Sequence, residues 1–73
     1  MKVSANKGII YLSTTKVTEF AKVQQLSDKL EKDLNVVTCE ESVEELYITL
    51  AYDNSEYTVR QIKDLSRSIA KSL

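Results

Sequence analysis

The chain has no histidine, no proline and no tryptophan, and only one glycine and one cysteine. Each shortage removes a class of chemistry. Without histidine, the usual nucleophile–base pairs of hydrolases cannot be assembled. With a single sulfur ligand and no imidazole, a zinc site lacks its donors. One glycine cannot build a glycine-rich phosphate cradle. One cysteine, Cys39, leaves no partner for an intrachain disulfide. These shortages predict a protein that is not an enzyme and uses no cofactor or metal.

Other absences set the class. No apolar run approaches the roughly 20 residues that span a bilayer. Residues 1–12 lack the charged, apolar and small-residue succession of a secretory signal. The expected location is therefore the cytoplasm, with no membrane partner. The net charge of −1 singles out no polyanion or polycation as ligand. There are no repeats, linkers or low-complexity tracts, so residues 1–73 are expected to form one domain. Its core is thin, because a chain this short buries only about 60% of its unfolded surface.

What is present is periodicity. Residues 9–12 form a short apolar run of the kind expected in a buried strand. Ser13, Thr14 and Thr15 follow, and their hydroxyls suit a helix start. From residue 16 to residue 34, Phe20, Val23, Leu26, Leu30 and Leu34 recur at helical spacing, with Ser27 among them. Asn35 is a suitable left-handed stop. Residues 36–41 read as a strand, with Cys39 expected to be half-buried in it. Residues 46–52 read as another, with Leu46, Ile48, Leu50 and Tyr52 on one side and Tyr47, Thr49 and Ala51 on the other. Ser42, Val43 and Glu44 make the hairpin connection. A helical turn over residues 40–45 competes with it, at the cost of like charges four apart.

The last third carries the clearest pattern. Val59, Ile62, Leu65, Ile69 and Leu73 mark an apolar stripe, and Arg60, Lys63, Arg67 and Lys71 a basic one. Two capping boxes compete for its start: Asp53 with Glu56, and Thr58 with Gln61. The strand at residues 47–52 is the expected support for this helix.

The predicted order is β-α-β-β-α, with an extra N-terminal strand over residues 1–5 if that segment pairs across the Asn6-Lys7-Gly8 turn. The fold class is α/β of the α+β type. It is a two-layer sandwich with both helices packed on one face of a small sheet. By topology alone this is similar to a ferredoxin-like fold lacking its last strand, or to small inhibitor proteins of the same element order. Topology does not confer function.

Three surfaces are candidates for binding. Glu40, Glu41, Glu44 and Glu45 concentrate four carboxylates expected at one tip, where they would meet a cationic protein groove. Tyr11 and Tyr47 belong on the sheet face that two helices leave open, a surface for a partner protein or a homodimer. Arg60, Lys63, Arg67 and Lys71 would track phosphates if the chain bound nucleic acid, the less favoured alternative. The expectation is a small protein-binding module, a regulator or inhibitor of the kind that phages and mobile elements encode.

Overall fold

The computed structural model describes residues 1–53 and 55–72. Six elements follow one another: β1 (Lys2–Asn6), β2 (Ile9–Ser13), α1 (Phe20–Asp33), β3 (Val36–Ser42), β4 (Tyr47–Tyr52) and α2 (Val59–Lys71). The extra N-terminal strand is present. All pairings are antiparallel, and the sheet order is β1-β2-β4-β3. β2 and β3 therefore run parallel with β4 between them, a split β-α-β unit. β1 occupies the edge that the closing strand of a ferredoxin-like β-α-β-β-α-β unit would take.

Alternation along the strands decides which side is covered. Val3 and Ala5 of β1, Ile10 and Leu12 of β2, and Ile48, Leu50 and Tyr52 of β4 face the helices. From α1 come Phe20, Val23, Leu26 and Leu30, with Leu34 just beyond it, and from α2 comes Ile62, to complete one core. α1 lies over β2 and β4, and α2 lies over β1 and against α1. The support of α2 is thus mainly β1, not the strand just before it. Without β1 the most amphipathic helix would lack a floor. Tyr52 is buried, and its hydroxyl is satisfied by donating to the Asn6 carbonyl at 3.0 Å.

Local chemistry sets the element ends. A turn at Lys7 and Gly8 closes the first hairpin, with Gly8 at φ 78. The first helix does not begin at residue 16: a 3₁₀ turn at Val17–Glu19 precedes α1. Thr14 organises this entry. Its Oγ1 accepts from the Lys16 N–H at 3.2 Å and donates to Glu19 Oε2 at 2.9 Å. The Met1 ammonium reaches the same oxygen at 3.4 Å. Both contacts hold the Glu19 carboxyl below its ordinary range, the threonine hydrogen bond contributing most.

Asn35 does not adopt the left-handed conformation; Leu34 ends the helix in an extended conformation instead. Residues 43–46 form turns rather than a helix, so the hairpin is the connection that forms. Its left-handed residue is Leu46, at φ 59. That placement is costly for a residue bearing a Cβ. Leu46 packs its side chain on the core, and its carbonyl accepts from the Thr14 N–H at 3.1 Å. Of the two capping boxes, Thr58 with Gln61 is used, both reciprocal bonds being present. Asp53 instead accepts from the N–H and hydroxyl of Ser55. Asn54, and Leu73 of the expected apolar stripe, lie outside the described residues.

Candidate functional site

The side of the sheet away from the helices is open. Three rungs cross it from β1 to β3. The first is Lys2, Ser13, Tyr47 and Ser42. The second is Ser4, Tyr11, Thr49 and Glu40, and the third is Asn6, Ile9, Ala51 and Thr38. Tyr11 and Tyr47 are therefore diagonal neighbours, and their rings stack with centroids 5.5 Å apart at 23°. Ile9 is 51% exposed, the largest aliphatic projection on this face. Beside it, the small side chains of Ala51, Thr38 and Thr49 leave a shallow depression that Glu40 borders.

Carboxylates expected at one tip are divided. Glu40 pairs with Thr49 and lies on the open side, whereas Glu41 pairs with Ile48 and lies on the helix side. Glu44 and Glu45 are exposed in the turn beyond. Alternation is the reason: consecutive strand residues point to opposite faces, so only a helical or irregular segment would have kept the four together.

On the helix side, Glu41 joins a different set. Gln24, Ser27, Asp28 and Glu31 of α1 overhang Cys39 and Glu41 of β3, with Ile48 as the floor. Gln24 Nε2 donates to Glu41 Oε1 at 2.7 Å. Asp28 and Glu31 belong to none of the three surfaces that the sequence suggests. Their signal was available, because residues 24, 27, 28 and 31 fall at i, i+3, i+4 and i+7, a polar stripe beside the apolar one.

Cys39 is exposed, not a half-buried core residue. It sits on an edge strand that α1 only partly covers. Desolvation in the groove pushes its thiol above the ordinary 9.0, and the neighbouring Glu31 carboxylate adds to the rise. A thiol so shifted is a poor nucleophile at neutral pH.

The basic stripe is where the sequence placed it. Arg60, Lys63, Arg67 and Lys71 are all exposed on α2. Among the described residues, no ion pair engages them; the Met1–Glu19 bridge is the one present. They lie in the helical layer, while Tyr11 and Tyr47 lie on the far side of the sheet. One nucleic-acid strand cannot run along the cations and stack on both tyrosines at once.

Among the described residues, no group of three or more acidic, histidine or cysteine side chains is arranged to hold a metal. No helix among them is long and apolar enough to cross a membrane. No protein family, curated protein or solved structure matches the chain.

Proposed function

We propose that the chain is a non-enzymatic protein-binding module, a cytoplasmic regulator or inhibitor that docks on a larger protein through the β3 edge. The observation that carries this reading is the state of that edge. β3 is the last strand of the sheet, so among the described residues its outer N–H and C=O groups have no strand neighbour. An extended segment of another protein can add there by main-chain hydrogen bonding. Glu41, with Asp28 and Glu31 above it, selects lysine or arginine at alternate positions of that segment. Glu44 and Glu45 extend the negative surface past the strand end. The same charges discourage two copies from pairing edge to edge, which favours a foreign partner.

The test uses a short extended peptide with alternating lysine or arginine, followed by amide chemical shifts. Saturable shifts along β3, lost when Glu41, Glu44 and Glu45 are changed together to Gln, are expected. Absence of β3 shifts at low salt removes the reading.

A second reading is nucleic-acid binding by α2, favoured by four exposed cations that no ion pair engages among the described residues. It requires affinity for generic RNA or DNA that falls steeply with salt. Arg67→Gln and Lys71→Gln would then flatten the slope. No affinity at low ionic strength eliminates it.

A further inference from the structure

We infer that a second copy of this chain covers the open sheet face, with the two-fold axis running along the strands between β2 and β4. This surface is distinct from the β3 edge and does not depend on that reading.

Among aligned packings of two identical open faces, two symmetry axes are available, one along the strands and one across them. An axis across the strands would lay β3 over β3, stacking Glu40 on Glu40 and Ile9 on Ser13. Like charges would then meet inside an interface. An axis along the strands lays β1 over β3 and β2 over β4, with each rung kept in step. Ile9 then projects onto Ala51 of the second copy, into the depression described above. The symmetric contact fills the matching depression in return. Tyr11 lies over Thr49, and Tyr47 over Ser13, so the phenol hydroxyls meet hydroxyl partners.

Charge selects the same axis. Lys2 sits on the β1 margin of the face and Glu40 on the β3 margin. After the rotation, Lys2 faces the β3 strand of the second copy, one rung from Glu40. That rung is about 6.8 Å, two residues of strand, within the span of a lysine side chain. Two Lys2–Glu40 pairs would flank a centre of Ile9, Ala51 and the tyrosines. The product is a four-layer particle, helices outside and two sheets about 10 Å apart, crossing at about 30° as twisted sheets do.

The area places the contact among weak interfaces. Two four-stranded faces of this height bury on the order of 1,000 Å², the lower bound for a specific interface. The dimer is therefore expected to be a weak one, monomeric when dilute.

Sedimentation velocity across a concentration series up to about 1 mM tests this directly. The wild type should shift from monomer to dimer with rising concentration. Thr49→Arg, which places a cation at the centre of the face, should weaken association at least 100-fold. Lys2→Glu alone should weaken it about five- to tenfold, and Lys2→Glu with Glu40→Lys should restore it. These two edge substitutions are exposed, so the outcome stands even if Thr49→Arg fails to fold; urea melts of each variant check that. A wild type that stays monomeric throughout overturns the inference. So does a dimer indifferent to Thr49→Arg, a double swap that restores nothing, or a monomer whose open-face signals shift only with single-stranded RNA.

Discussion

Ser66 offers the sharpest test of the packing. It lies on the inner face of α2, fully buried one turn after Ile62, and its Oγ has no hydrogen-bond partner among the described residues. An unpaired buried hydroxyl costs about 1–3 kcal/mol in lost hydration. Alanine also exceeds serine in helix propensity by about 0.5 kcal/mol. Against these gains stands a small void where the oxygen was, which cancels part of them. Ser66→Ala should therefore stabilise the fold by about 1–2 kcal/mol. That is a large increment for a domain whose total stability is on the order of 5 kcal/mol. With a urea slope near 1 kcal/mol/M, the midpoint should rise by about 1–2 M at unchanged slope. Ser27→Ala is the control. Ser27 is also buried, but it lines the groove beside Cys39 and its hydroxyl is not among the orphaned buried oxygens, so its removal should not match that gain. An unchanged or lowered midpoint for Ser66→Ala refutes the argument, because it means that the hydroxyl is bonded in solution.

Three further outcomes follow from the same geometry. Thr58→Ala removes one half of the α2 capping box and should cost about 1 kcal/mol, read as a lower urea midpoint; no change would show that α2 is held by packing alone. Cys39, though exposed, should react with a neutral alkylating reagent at pH 8 more slowly than free cysteine, and Glu31→Gln should speed it. Equal rates in both proteins remove Glu31 as a cause. Glu19 has a folded pKa below its ordinary 4.5, so its contribution is complete above that value and is lost as pH falls through the folded value. The stability gap between wild type and Glu19→Gln should therefore be larger at pH 7 than at pH 3. A gap independent of pH would deny the Thr14 and Met1 contacts an electrostatic role.

Much of the architecture was legible because periodicity survives in so small a core. Phe20, Val23, Leu26 and Leu30 could only bury together as a helix. Ile48, Leu50 and Tyr52 could only bury together as a strand. What escaped were features that depend on neighbours distant in sequence. Nothing near Cys39 announces that its strand ends the sheet, so its exposure was hidden. Asn35 stays out of the left-handed region because Leu34 already ends α1 in an extended conformation, and Leu46 enters it in a different turn, where its side chain packs on the core. The four glutamates looked like one cluster since adjacency in sequence hides alternation across a strand. The groove of Asp28, Glu31 and Glu41 joins α1 to β3, and no single segment displays it.

The position of β1 carries one more implication. Met1 and Lys71 line the same groove, where β1 meets the end of α2. A short bridge between these two segments, with a new opening at the Lys7-Gly8 turn, would convert the order into β-α-β-β-α-β without altering a single strand pairing. The molecule is in this sense a ring cut at one place among several, and a circularly permuted version should reach the same native state.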